Sequence, residues 1–184
     1  MNSANVVGRI PKVDQDVGRA QLILGLLPCQ NQYLLNAVSP VILPGLKELA
    51  AASMGEFEPG QIMFDILYGQ KQLHMGYADR TGIRPEQFQE TFAKNLQEPA
   101  KDFVGFSIIE PIRTAGFHIF AVYIMPEFRD SNMMQNGLAY LEAEAKKMGS
   151  PFISLCTRHD ASGAFARMGY VETTANYRKQ LSKE

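Results

Sequence analysis

The sequence contains no tryptophan, only two cysteines, and no strong excess of charge of either sign. Cys29 and Cys156 lie far apart beside apolar residues, a pattern that favours reduced core thiols over a disulfide framework. We therefore expect a reducing, cytoplasmic setting. The formal net charge is −1 and the pI is about 6.3, so no global basic field would attract nucleic acid or an anionic membrane. Small molecules or other proteins are the expected partners.

The sequence also lacks a long hydrophobic run. The longest such run, residues 22–27, stops at Pro28 and is far shorter than the roughly 20 apolar residues that a membrane helix needs. Residues 1–21 mix charged side chains with scattered valines and so lack the apolar core of a signal peptide. From these features we expect that the chain does not insert into a membrane and that residues 1–21 are not a secretion signal.

The composition is that of a folded domain, because 46% of the 184 residues are hydrophobic and 20% are charged. A chain of this length falls within the ordinary range of one domain with a substantial core. Residues 1–38 are interpreted as an N-terminal arm with a first strand region. Residues 39–184 are interpreted as the main domain.

Along the chain, segments in which apolar residues recur at every second position alternate with segments in which they recur every three or four positions. Strands are predicted at residues 22–26, 71–77, 103–109, 117–124 and 152–156, with one or two closing strands at 170–181. Helices are predicted to begin at Pro44, Pro59 and Pro85, to form the stripe at 138–148, and to occupy 161–168. This alternation predicts an α/β (α+β) fold.

The stretch with the clearest chemical content is residues 117–129, FHIFAVYIMPEFR, where a strand runs into a Pro-x-aromatic-Arg turn that opens a helix. A second landmark, AFARMGY at 164–170, ends a later short helix. This order resembles the GCN5-related N-acetyltransferase (GNAT) superfamily, of which the chain looks like a divergent member. The resemblance implies a mixed, mostly antiparallel sheet flanked by helices, with the strand at 117–124 parallel to the one at 152–156 and splaying away from it.

The resemblance also implies acetyl-CoA as a ligand. Val122 and Ile124 would supply main-chain contacts to pantetheine, and Arg129 would begin the phosphate loop. Asn132 and Met134 occupy positions where the family has small residues, and a methionine side chain would crowd a phosphate there. Weak or absent acetyl-CoA binding is therefore expected.

A structural interpretation of the same loop stays open. Ser131 or Asn132 would cap the following helix, and Met133 and Met134 would pack in the core. In that case the two methionines report on folding and say nothing about a ligand.

His118 lies where many members of the family carry the group that removes a proton from the substrate amine. Imidazole accepts a proton near neutral pH, which suits a general base, although a half-exposed strand histidine is also a common structural residue. Phe165 stands where the family often has the tyrosine that protonates the departing thiolate, and phenylalanine has no proton to give. His74 and His159 are isolated, and no spacing of His, Cys and carboxylates predicts a metal site.

Two functions are compatible with these patterns. The favoured one is a non-catalytic structural or interaction module with a degenerate acetyl-CoA loop, similar to GNAT-like proteins of tailed phages, some of which are virion components. The alternative is an acyl-CoA-dependent N-acetyltransferase acting on an amine. A protein assembly or homo-oligomer is expected, formed through residues 1–21 or through the stripe of Phe88, Phe92 and Leu96, which could equally belong to the core.

Overall fold

The computed structural model describes residues 21–27, 31–53, 57–112, 116–129, 133–155 and 162–171. Within these residues, five strands form one sheet in the order β1-β2-β3-β4-β5. Neighbouring strands from β1 to β4 are antiparallel, and β4 and β5 are parallel, which confirms the predicted mixed, mostly antiparallel sheet. The strands are β1 Gln21–Leu26, β2 Gln72–Asp79, β3 Phe103–Ile112, β4 Gly116–Ile124 and β5 Ile153–Leu155.

Helices cover both faces of the sheet. The first face, called the α1 face, carries a core cluster contributed by α1, α2 and α3, and the opposite α4 face carries a second cluster contributed mainly by α4, with α5 packed against it. The α-helices in the described residues are α1 Gln32–Ala52, α2 Pro59–Leu67, α3 Phe88–Asn95, α4 Met133–Lys147 and α5 Ser162–Arg167, with 3-10 turns at Pro85–Gln87 and Pro126–Phe128.

Helix α1 begins well before the predicted start at Pro44. Asn31 caps it by accepting a hydrogen bond from the Leu34 N–H at 3.1 Å, and Pro40 and Pro44 both lie inside the helix. The prediction was wrong because it read Pro44 as a first-turn residue, whereas burial of a continuous apolar stripe offsets the backbone hydrogen bonds that the prolines remove. That stripe consists of Leu35, Val38, Ile42 and Leu46.

The position of α1 bears on two further predictions. The division between residues 38 and 39 falls inside α1, and β1 belongs to the same sheet as the later strands. By length and composition alone, α1 would also serve as a membrane span. Four of its apolar residues, Leu35, Val38, Ile42 and Leu46, are buried in the core of the α1 face.

Gly45 marks the closest approach of α1 to the sheet. A Cβ added there would lie 2.7 Å from the Tyr123 ring and 2.8 Å from the Phe106 ring. These two rings stack with centroids 5.3 Å apart and form the surface on which the helix rests. The absence of a side chain at Gly45 therefore fixes how α1 lies along β4, and it brings Glu48, one turn later, to the end of that strand.

Helix α3 belongs to the core of the α1 face. Phe92 is fully buried, Phe88 and Leu96 are nearly so, and the Phe92 ring packs where a side chain on Gly25 of β1 would otherwise stand, 2.7 Å from a Cβ at that position. Of the two interpretations of this stripe, core packing is the one that the structure supports. Phe88 and Phe92 are thus buried within the chain itself.

The other elements agree with the sequence patterns to within a few residues. α2 and α4 are each followed by a glycine with positive φ, Gly69 at 72° and Gly149 at 71°, as the predicted C-caps require. Several predictions fall outside the described residues: residues 1–20 of the arm, most of the closing strands at 170–181, both cysteines and His159.

Candidate functional site

The described pairing between β4 and β5 joins residues 117–119 to 153–155. Residues 156–160, which follow β5, lie outside the described residues. At Ile119 the register with β3 shifts, because Ile109 pairs with Ile119 whereas Ile108 pairs with Ala121. Phe120 is thus an extra residue in β4, a β-bulge that bends the strand. The predicted parallel pairing of β4 and β5 is confirmed, and their predicted splaying stays a prediction because residues 156–160 lie outside the described residues.

Beyond the bulge, β4 directs several main-chain polar groups to the side away from β3. The Met125 N–H donates to Val104 O at 2.8 Å, so residue 125 directs its N–H toward β3. Successive residues of a strand point their N–H and C=O groups to alternate sides. Val122 and Ile124 therefore direct theirs away from β3, to the side on which β5 pairs with the earlier part of the strand. We call this row of groups the open edge of β4.

Arg129 lies across the end of the open edge. Its Nε donates to Ile124 O at 2.9 Å, its Nη2 donates to Glu48 Oε1 of α1 at 2.5 Å, and its guanidinium lies 5.6 Å from the centroid of the Tyr123 ring. Burial raises the pKa of Tyr123, and the nearby Glu48 carboxylate raises it further. Arg129 thus links the last residues of β4 to α1.

The two methionines at the start of α4 face the sheet. Met133 is buried and Met134 is half-buried against the core of the α4 face, and both line a cavity of about 30 Å³ whose other walls include Gly76, Gly105 and Val122. This placement supports core packing for Met134 and weakens the expectation that its side chain crowds a phosphate. Asn132 lies outside the described residues.

His118 lies on β4 just before the bulge and is held between two strands. Its Nδ1 is 3.0 Å from the Oγ of Ser154, which is its partner in the parallel ladder with β5. Its partner on the other side, in the ladder with β3, is Glu110. The half-buried imidazole therefore sits one pair before the last described pair of β4 and β5, beside the Phe120 bulge.

A charged cluster continues this row across the sheet. The Lys71 side chain is only 11% exposed, and its Nζ lies 3.4 Å from Glu110 Oε2, 3.6 Å from Asp65 Oδ2 of α2, and 4.5 Å from the centroid of the Phe120 ring. Sequence patterns gave no sign of this cluster, because Glu110 joins it from β3, 39 residues after Lys71. It places an ordered polar surface beside His118.

Phe165 of α5 is half-buried on the α4 face, where its ring packs edge-on against Tyr170 with centroids 5.8 Å apart. The hydroxyl in this region belongs to Tyr170, which donates to Glu142 of α4 at 3.1 Å. Burial raises the pKa of Tyr170, and Glu142 raises it further. Position 165 therefore offers no proton donor.

His74 is fully buried on β2, away from the charged cluster. Its Nδ1 lies 3.1 Å from the Tyr140 hydroxyl of α4, and its Nε2 has no hydrogen-bond partner among the described residues. Burial lowers the pKa of His74 to about 3. The described residues contain no group of three or more His, Cys, Asp or Glu side chains that could hold a metal ion.

No protein-family model and no curated protein matches the sequence. Solved structures do match the fold. A ribosomal-protein-alanine N-acetyltransferase from Brucella melitensis biovar Abortus 2308 has a TM-score of 0.57 at 12% identity, over 88% of this chain and 99% of its own. An acetyltransferase from Trypanosoma brucei has a TM-score of 0.56 at 14% identity, over 88% of this chain and 100% of its own.

A third similar structure carries the superfamily name: a GNAT family acetyltransferase from Staphylococcus aureus, with a TM-score of 0.53 at 16% identity, covers 87% of this chain and 98% of its own. Identities this low establish a common fold and nothing about activity. The chain therefore has the fold of the GNAT acetyltransferases, over nearly the whole length of each of these structures.

Proposed function

We propose that this chain is an acyl-CoA-dependent N-acyltransferase. The observation that carries the proposal is the Phe120 bulge in β4, beyond which the main chain of Val122 and Ile124 is directed away from β3 along the open edge. Pantetheine is an extended chain with two amide groups, and such a chain can pair with a strand edge as an added strand would. The acetyltransferase names of the structures with this fold support the same reaction class.

The described residues fit the pantetheine arm in part. The Val122 N–H and C=O and the Ile124 N–H are directed to the open edge, whereas Ile124 O already accepts a hydrogen bond from Arg129. Arg129, Asn132 and Met134 stay proposed contacts of the phosphate end. Bound acyl-CoA would supply an activated thioester, whose carbonyl an amine can attack.

His118 is placed to take the proton that the amine loses as it becomes an amide. If Nδ1–H donates to Ser154 Oγ, the ring is held in orientation and Nε2 keeps a lone pair for that proton. Glu110 and Lys71 continue the polar surface on the α1 face, where an amine would approach. Since Phe165 carries no hydroxyl, water would supply the proton that the thiolate takes up.

The test measures binding and turnover separately. Acetyl-CoA is titrated into the protein by calorimetry, and thiol release is followed with a panel of primary amines. We expect His118→Gln to leave the dissociation constant for acetyl-CoA unchanged, because the open edge is main chain. The same change should lower kcat by about 10²- to 10⁴-fold, the usual contribution of a general base.

Equal kcat values for the wild type and His118→Gln would assign the proton transfer elsewhere. Ser154→Ala serves as the graded comparison, since it removes the contact that orients the ring and leaves the ring itself. A thermal unfolding scan of each variant checks that the fold persists.

A second candidate, a non-catalytic interaction module, is favoured by two observations. Arg129 is engaged by Glu48 and Ile124 O, and Phe165 offers no acid. The resemblance to proteins of tailed phages suggests a virion as one setting for such a module. Because the stripe of α3 is buried in the chain, residues 1–20 are the segment left to carry association.

For this second candidate, we expect the full chain to be oligomeric in light scattering and a chain lacking residues 1–20 to be monomeric. The physical reason is that Val6, Val7, Ile10, Val13 and Val17 have no period by which they could form a self-contained apolar face. A full chain that is monomeric at every concentration removes the assembly role and favours the enzyme.

A further inference from the structure

The Arg129 guanidinium is held by three contacts from two elements. Ile124 O of β4 accepts its Nε–H, Glu48 of α1 accepts an Nη2–H, and the Tyr123 ring lies beneath it. Both partners of the ion pair are about half exposed, with side chains 44% and 49% accessible. The contact is therefore ordered yet reachable by a ligand from solvent.

The packing of α1 on the sheet determines where Glu48 lies. One turn earlier, Gly45 lets the helix rest on the rings of Tyr123 and Phe106, which are themselves stacked. The carboxylate is thereby delivered to the end of β4. A shift of the helix away from the strand would also remove the partner of Arg129.

This arrangement already engages two groups that an acyl-CoA ligand would use. The carbonyl of Ile124 is one of the open-edge groups, and Arg129 already donates to it. The positive charge of Arg129 would attract phosphate, and Glu48 offsets it at 2.5 Å. Any anion approaching the end of β4 also meets the Glu48 carboxylate itself.

We propose that Glu48 is a positioning residue that holds Arg129 against the open edge of β4 and thereby weakens the binding of anionic acyl-CoA. The proposal rests on the proposed function, because it assigns the open edge to that ligand. Release of Arg129 from Glu48 frees its charge for phosphate and Ile124 O for a pantetheine amide. The cofactor end of the site is thus coupled to α1.

Because the Glu48–Arg129 ion pair is half exposed, solvent screens it and limits the effect of Glu48 on CoA affinity. Pairs of this kind change an equilibrium by about two- to fivefold. We expect Glu48→Gln to tighten the calorimetric dissociation constant for CoA by that factor at low salt, with the gain shrinking as salt screens the phosphates. Glu48→Asp keeps the charge and should stay near the wild-type value.

Glu127→Gln is the matched control, because it removes the same charge from an exposed residue two positions before Arg129. It should change CoA affinity less than Glu48→Gln does. Pantetheine, which lacks the nucleotide and its phosphates, should show a smaller gain than CoA. A readout independent of any ligand is exchange of the Arg129 Nε–H in NMR, which should be faster in Glu48→Gln.

The outcomes separate this inference from the proposed function. If the wild type binds CoA and Glu48→Gln binds it with the same constant, or Glu127→Gln gains as much, the role of Glu48 is overturned and the proposed function stands. If Glu48→Gln alone binds measurably, the inference is upheld in its strongest form. If no variant binds CoA or pantetheine, the proposed function falls, and the role of Glu48 falls with it.

Discussion

Acidification from pH 7 to pH 4.5 is expected to reduce the free energy of unfolding by about 2–3 kcal/mol through His74 alone. Burial lowers the pKa of this imidazole from 6.5 to about 3 in the folded chain. Below pH 6.5, His74 binds a proton in the unfolded chain but stays neutral in the folded chain. The free energy of unfolding therefore decreases as the pH falls toward 3. Above pH 6.5 both states are neutral at this residue, and the effect vanishes.

The pKa of His74 is low because burial removes water from the imidazole. Tyr140 contacts Nδ1, and Nε2 has no hydrogen-bond partner among the described residues, so nothing there stabilises an imidazolium. Urea unfolding at several pH values between 7 and 4.5 measures the slope. We expect His74→Leu to remove this part of the slope, whatever it does to stability at pH 7.

His118→Gln is the control for that measurement, because it removes the other histidine in the described residues and leaves the buried His74 in place. This variant should retain the acid sensitivity of the wild type. A His74→Leu protein that loses stability between pH 6.5 and 4.5 as steeply as the wild type would show that other groups cause the loss.

Gly105→Ala is expected to destabilise the chain by about 3 kcal/mol, at the upper end of the cost of overpacking. A Cβ on Gly105 would press into Tyr123 O, well inside van der Waals contact, and would stand 3.1 Å from the Ile124 Cα. Both atoms belong to the backbone, so no side chain can rotate out of the way. Strands β3 and β4 would have to move apart at Ile124, where the open edge ends.

Urea titration at neutral pH tests this expectation, with Gly137→Ala as the control. Gly137 lies inside α4, and a Cβ there meets no atom within 4 Å. Alanine in a helix interior is more stable than glycine by about 0.5–1 kcal/mol, so this variant should gain stability. Equal unfolding midpoints for Gly105→Ala and the wild type would mean that the strands accommodate the methyl group.

The strands and most helices could be predicted because each one buries an apolar face whose period can be read locally. Helix α1 was misjudged at its start, since Pro44 also suits a first turn, and nothing local reveals that Asn31 caps a helix continuing through two prolines. Tertiary packing of the apolar stripe decided that element. The spacing of that stripe is helical, but Pro40 and Pro44 within it indicate a break.

The candidate site divides in the same way. His118 and the main chain of Val122 and Ile124 were named from the motif, because one continuous segment contains them. Glu48 and Arg129 are separated by 81 residues, and Lys71 and Glu110 by 39. Their contacts depend on the packing of α1 and on the register of the sheet, and a single sequence specifies neither in a readable form.

The main-chain character of the open edge has a consequence for how this chain can diverge over evolutionary time. An N–H or C=O group is the same on almost every amino acid, so positions 122 and 124 can exchange side chains without losing the groups that they offer. Selection on such an edge would act on the bulge and on strand register, and would leave residue identity largely free to drift. Similarity of fold in proteins of this kind is therefore better detected by superposing backbones than by aligning sequences, as the 12–16% identities with its structural neighbours illustrate.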